Sequence, residues 1–503
     1  MYVWPFDVET EYAIRQQRDV RSAPFSGIEL PLGLRQRLKN NLYERLVLPE
    51  DASYAKARRI FNVAFDLFPA GIALCNSELE VALCLEGIRH YGVSFCVRAS
   101  GHSFAGYSSM DDGLVIDVGG LNSIQVDPKT QTAIVGAGCK LAAVRDAVNS
   151  LGLHLPLGSG LLAVGGFMQG GGFGDTSRAH GMNSDNVLEV RVMMGDGRII
   201  SASETMNHDL WWAIRGGTGG NFGILLSVRY RLYPLVQKSQ QLLWWKLGEK
   251  ADRAKAARAI ANLQENVLST APPELIAQAD IRRWPDDMQD SSRSTWLRIS
   301  AEYLGSSSDL ATILSPLQNC GNTSFTGAIP RRGVDPFVRH GRFVSGLELA
   351  DWCCLIDDFV ENANLYSTLT LDALGGAINS YPIEKSSFIH RSSVFNMYAT
   401  GFWIKGDRED EERVGAYLNN WSALTQPFWN EHIFQNFPSA DVRDYRWNYW
   451  GKAFPALLAV KQKYDPDGLF SFPQAIEAEE GESEQVVWPP LVAGKWLKEP
   501  IHF

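Results

Sequence analysis

The chain has 503 residues, 45% of them hydrophobic and 21% charged, with a formal net charge of −10. That length allows two or three domains of roughly 100–200 residues each, and the composition is that of a globular protein with a sizeable core. The acidic balance argues against a nucleic-acid partner, whose phosphates demand clustered Lys and Arg.

In chain order, residues 1–57 read as a mostly helical lead-in without the basic and apolar regions of a secretory signal. No stretch reaches the roughly 18 uninterrupted apolar residues of a spanning helix, so no membrane partner is expected. Seven cysteines, an odd number without metal-ligand spacing, read as reduced thiols in a cytoplasmic protein with no metal site. Glu78–Tyr91 has apolar residues at helical spacing, and Val93–Val97, Leu114–Val118 and Ala133–Val135 fit strands, followed by a helical Leu141–Leu151. Strands alternating with helices predict an α/β or α+β arrangement. Residues 157–223 are rich in glycine. From Val228 to Asn430 amphipathic helices alternate with strand-like runs such as Trp296–Tyr303 and Phe395–Trp403, which reads as a separate domain. Phe434–Ile476 is dense in motifs. The acidic residues 477–484 read as a solvated linker, and Trp488 and Trp496 predict a tail that packs back onto the protein.

Three segments carry chemistry. Arg98-Ala-Ser100-Gly101-His102-Ser103 follows the apolar run VSFCV. A strand ending in such a turn exposes backbone N–H groups suited to pyrophosphate, and Gly101 permits close approach of a ligand. His102 reads either as a nucleophile or as an ordinary loop histidine. In the second segment, Val164 to Gly174, six of eleven residues are glycine, including Gly165, Gly166, Gly170, Gly171 and Gly174. Glycine is entropically costly in ordered structure, so this run predicts main chain lying against a ligand or crossing itself. It lacks the G-x-G-x-x-G pattern of a nicotinamide site. The third segment, Trp211 to Leu225, packs further glycines, among them Gly223 before Ile224, around an apolar spine. Three such loops point to a large flat cofactor resting on backbone.

These segments occur in order with G-x-x-x-D-N (Gly181–Asn186) and the closing Tyr464-Asp-Pro-Asp-Gly-Leu-Phe470 and Phe472-Pro-Gln474. Together they resemble the vanillyl-alcohol-oxidase or PCMH-type FAD-linked oxidoreductases, specifically their berberine-bridge-enzyme-like branch. The resemblance implies an α+β fold. A two-subdomain FAD-binding domain (58–235) is interrupted by an inserted antiparallel-sheet substrate domain (236–433), and a closing segment (434–476) returns to the FAD domain. It also implies FAD bound covalently through His102, with Arg98, Ser100, Ser103 and Asn186 among the cofactor's neighbours.

Departures from the family pattern refine the expectation. Ser159 stands where many relatives carry a second flavin-bonding cysteine; a hydroxyl is a far poorer nucleophile than a thiolate, so one covalent bond is expected. Leu162 stands where oxygen-reactive relatives carry valine, which leaves open either molecular oxygen or another electron acceptor. Phe434 replaces the tyrosine that related sugar oxidases use as base, while Asn436 is retained. Tyr449, with Tyr445 close by, is then the candidate base. It would need a cation such as Arg446 or Lys452 to act near neutral pH, since a phenol has a reference pKa of about 10. An aromatic packing role for Tyr449 is equally open. Asp441, His390 and Arg391 are further candidates, with a surface salt-bridge role as the alternative for the last two. The expected activity is oxidation of an alcohol or amine carbon of a small substrate, with the proton going to a base and a hydride to flavin. A carbohydrate oxidase is the alternative, and from another class a cyclase or binding protein on a retained flavin scaffold.

Overall fold

In the computed structural model, residues 29–285, 293–325 and 336–478 are described, and the first sheet is built from short apolar strands. β1 (Leu46–Val47), β2 (Gly71–Leu74), β3 (Phe95–Arg98) and β4 (Leu114–Asp117) lie in the order β1-β2-β4-β3. β2, β4 and β3 are parallel, and β1 is antiparallel to β2. Parallel strands covered on both faces read as continuous apolar runs; Ile72, Ala73, Leu114, Val115 and Ile116 are all buried. The connecting helix Glu78–Tyr91 starts at Ser77, whose side chain accepts from the Glu80 N–H, and stops at Gly92 in the left-handed region. Val81, Cys84, Leu85 and Ile88 form its buried stripe. β1 pairs with β2, and Leu34, Leu38 and Leu42 join the same core, so the described part of the lead-in, from residue 29, packs into this layer; residues 1–28 lie outside the described residues.

The second sheet is antiparallel. β5 (Ile124–Asp127), β6 (Thr132–Gly136), β8 (Val187–Met193), β9 (Ile199–Ser203) and β10 (Ile224–Arg231) run in the order β5-β6-β10-β8-β9, while the short β7 (Leu153–His154) pairs with β11 (Tyr233–Pro234). The closing segment returns to this half as expected. Its Trp450, Leu457 and Phe470 share the core of the first two sheets, and the buried Lys461 donates to the Asn221 carbonyl at 2.8 Å.

The third sheet is the inserted domain, antiparallel throughout. β12 (Ser239–Lys246), β13 (Leu275–Pro285), β14 (Arg293–Tyr303), β15 (Phe337–Val344), β16 (Thr368–Ala373) and β17 (Phe395–Phe402) lie in the order β12-β14-β13-β16-β17-β15. Alternate residues point to opposite faces of a strand. Ile299, Leu371 and Met397 turn to the helices Lys250–Asn262, Leu349–Asn362 and Arg408–Thr425. The other face carries Asp280, Arg298, Arg339, Thr370, Asp372, Asn396 and Thr400, and these are buried as well. It is buried because it faces the first half: Asn62 Nδ2 donates to the carbonyls of Phe104 and Phe337, and Lys238 joins Asp175 to Glu302.

Three buried arginines fasten the segment between β16 and β17 to the first half. Arg178 donates to the Leu374 carbonyl, Arg215 to the Tyr381 hydroxyl and the Lys385 carbonyl, and Arg391 makes a two-pronged pair with Asp185, both contacts at 2.8 Å. Arg391 is thus a buried clasp and not the surface pair weighed from sequence. Its side chain and that of Asp185 are 4% and 2% exposed, so removing one charge strands the other away from water. Arg391→Ala should cost about 3–5 kcal/mol in chemical denaturation, and the double replacement Arg391→Met with Asp185→Leu should recover most of it.

Candidate active site

A cleft is lined by the end of β3, by the turns that join strands of the first two sheets and by the closing segment. Its walls come from the three glycine-rich segments, and its upper rim from Phe434, Gln435, Asn436 and Phe437. The first wall forms because β3 ends at Arg98 and the chain turns at Gly101, where φ is 72°. The Gly101 carbonyl accepts from Phe61 N–H at 2.8 Å. Ser100 Oγ accepts from Ala163 N–H at 3.1 Å, tying the first wall to the second. His102 is held on this turn: Nδ1 lies 2.9 Å from the Ser100 carbonyl, and the ring stacks on Phe61 at 4.7 Å.

The cleft fits a long, flat, phosphate-bearing cofactor. A Cβ added at Gly166 would meet no atom within 4 Å, so the bare backbone there faces open cleft. Gly101, Gly219 and Gly220 present main chain to the cleft, while Phe167, Phe173 and Ile224 give apolar walls for rings. Bare N–H groups in such turns suit phosphate oxygens.

Of the residues singled out by sequence, Ser100, Gly101, His102, Ser103, Ser159, Gly165, Gly166, Gly223, Ile224, Asn436 and Tyr449 line the cleft, as does Leu162. Six others lie elsewhere. Arg98 turns away and pairs with Asp117 at 2.6 Å. Gly170 makes room for Asn436, Gly171 for Phe388 and Gly174 for the Leu157 backbone, each at a separation no Cβ could share. Asn186 donates to the His180 and Met182 carbonyls and accepts from the Tyr233 hydroxyl at 2.6 Å. The Tyr445 hydroxyl donates to the Ala475 carbonyl at 2.9 Å. The second glycine segment is also not all loop, since Val164–Gln169 is helical. Of its six glycines, Gly165 and Gly166 line the cleft, and the other four pack closely against neighbouring parts of the chain.

Tyr449 does not have a base's surroundings. It is buried, its hydroxyl donates to Gln474 Oε1 at 3.0 Å, and burial pushes its phenol above the usual value. Neither expected cation stands beside it: Arg446 packs over the Tyr445 and Phe454 rings, and Lys452 is exposed. His390 is buried, burial presses it well below the ordinary histidine value, and its Nε2 lies 3.0 Å from Gln435 Oε1. It orients Gln435 on the cleft rim. Asp441 is exposed and pairs with His340 at 3.7 Å. Of the thiols, Cys96 lines the cleft, but burial holds it protonated, up to about 12. Sequence reading did not single out Phe104, which lines the cleft, or Arg339, Asp372, Asn396 and Tyr398, which are buried on the inner face of the third sheet and are not among the residues that line the cleft. For Asp372, Asn396 and Tyr398 the signal was present as polar residues at every second position of β16 and β17.

This is the fold and cleft of an FAD-linked oxidoreductase. Residues 69–203 match the FAD binding domain family and residues 433–477 the berberine and berberine-like family. The FAD-linked oxidoreductase YgaK of Bacillus subtilis is 27% identical over 462 residues, covering 87% of this chain and 98% of the relative. Chitooligosaccharide oxidase of Gibberella zeae is 25% identical over 494 residues, covering 87% and 94%. The solved structure of Physcomitrella patens BBE-like 1 superposes with a TM-score of 0.77 at 23% identity, covering 88% of this chain and 98% of the other. The two family matches and these likenesses support a PCMH-type FAD-linked oxidoreductase of the berberine-bridge-enzyme-like branch.

Because Gly166 faces open cleft, Gly166→Leu should fill the cofactor's space without disturbing the core. The purified variant should show the wild-type far-ultraviolet circular dichroism and lack the visible flavin absorption.

Proposed function

We propose that the enzyme oxidises the hydroxyl-bearing carbon of a small aromatic alcohol, using FAD tethered through His102 alone and reoxidised by molecular oxygen. The observation that carries the substrate class is the aromatic layer at the rim. Phe104 stacks on Phe437 at 5.4 Å, Phe437 meets Phe434 at 5.0 Å, and all three line the cleft. The side-chain amide of Asn436, the polar group between them, donates to the Phe167 carbonyl at 2.8 Å. An oligosaccharide brings many hydroxyls, and burying each without a partner costs free energy. A flat aryl group gains from the same surface.

When bound, FAD supplies a two-electron hydride acceptor. The aromatic rim excludes water and holds the substrate's ring. Ser100 fixes the His102 imidazole against the cleft wall, which supports His102 as the tether. Ser159 at the other position and a protonated Cys96 support a single bond rather than two.

Acid precipitation tests the tether. Wild-type protein should keep its yellow flavin in the pellet and His102→Ala should release it; flavin retained in the variant's pellet refutes the assignment. Anaerobic mixing tests the substrate class. Coniferyl and cinnamyl alcohol should bleach the flavin band, whereas cellobiose and chitobiose should not. Bleaching by the sugars alone would overturn the aromatic reading in favour of a carbohydrate oxidase.

A further inference from the structure

Three parts of the chain, far apart in sequence, converge on one backbone oxygen. The Gly216 carbonyl accepts from Gln435 Nε2 and from Trp450 Nε1, each at 3.0 Å. Gln435 and Trp450 belong to the closing segment, and Gly216 opens the run Gly216-Gly217-Thr218-Gly219-Gly220 of the third glycine wall. The inserted domain supplies the third part. His390, between β16 and β17, places Nε2 3.0 Å from Gln435 Oε1. Its ring stacks on Phe343 at 4.2 Å and stands edge-on to Phe388 at 5.0 Å. A carbonyl only accepts, so the Gln435 amide must turn its NH2 to Gly216 and its oxygen to His390. His390 must then carry a proton on Nε2 and donate it.

The same contact brings the inserted domain against the wall. A Cβ at Gly216 would lie 2.3 Å from the Phe388 backbone nitrogen, at a φ of 151°. Ser387 Oγ donates to the Ala213 carbonyl at 2.8 Å. Two residues beyond Gly216, Thr218 sits at φ 67°, which is an outlier for a β-branched residue. Such backbone persists only where its surroundings hold it. Thr218 N–H donates to the Gln169 carbonyl at 3.0 Å, and Thr218 Oγ1 accepts from Asn221 Nδ2 at 2.8 Å. Gln169, Thr218, Gly219, Gly220, Gln435 and Trp450 all line the cleft, whereas His390 does not.

We propose that His390 is a positioning residue for the cofactor: through Gln435 it holds the Gly216–Gly220 wall in the shape that receives FAD. Seating the inserted domain and completing the cofactor wall are then one event. Without the His390 donor, the buried Gln435 oxygen has no partner there. The amide turns to find one and gives up the Gly216 carbonyl, and the strained Thr218 backbone loses a support. This rests on FAD binding in the cleft and not on the class of substrate.

FAD release from full-length protein without the covalent tether tests it. Each variant is made in a His102→Ala background, purified with its flavin and diluted while the fluorescence of released flavin is followed. His390→Phe keeps a ring between Phe343 and Phe388 but has no donor. It should speed release by about 10-fold or more, the scale of one buried hydrogen-bond partner lost. His390→Gln, with an amide N–H near the place of Nε2, should restore slow release. Gln435→Met should match His390→Phe, and joining the two should add nothing, because both break one chain of bonds. A merely structural histidine would lower the denaturation midpoint and leave release unchanged. Release from His390→Phe at the parent rate overturns the proposal, as does fast release from a folded His390→Gln or additive effects in the double variant. Should His102→Ala keep its flavin through acid, the tether reading fails, and the visible circular dichroism of the bound flavin decides. A spectrum changed in His390→Phe and restored in His390→Gln upholds the proposal, and an unchanged one overturns it. If His390→Phe does not fold, Gln435→Met decides by the same measurement.

Discussion

Main chain must approach main chain, and the rest of this structure depends on that. The cleft can accept a flat cofactor only because its walls lack Cβ atoms where the loops cross. A methyl group at Gly174 would lie 2.6 Å from the Leu157 backbone nitrogen, and one at Gly165 would lie 3.1 Å from the Ala137 carbonyl. Close approach in turn lets the loops hold one another by hydrogen bonds. Gly165 N–H donates to the Ala137 carbonyl at 2.8 Å, and Ala163 N–H to Ser100 Oγ. The entropy given up by ordering so much glycine is thus offset by backbone hydrogen bonds and core packing that precede any ligand.

The second constraint is the seam between the halves. A sheet with one polar face is ordinarily polar towards water, yet here that face is buried against the first half. Burying it demands that each charge find a partner. The seam meets that demand locally, with Asp280 on Arg298, Glu302 on Lys238 and Arg391 on Asp185. Such pairs do not raise stability much over apolar contacts. They fix register, because a slip of either half would leave several buried charges without partners.

Much of this was legible in the sequence. The helix Glu78–Tyr91 was legible residue for residue, because its cap, its stripe and its terminating glycine agree. The three walls were legible as motifs. What could not be read was the side of the chain each glycine serves. Gly166 and Gly170 are four apart in one run, yet one faces the cleft and the other Asn436, since the run is helical only as far as Gln169. Arg98 fell in a cofactor motif but pairs with Asp117, its partner in the parallel register of β3 and β4. The inner face of the third sheet was harder still. Its strands come from distant parts of the chain, and Asp372, Asn396 and Arg339 become neighbours only when β16, β17 and β15 pair.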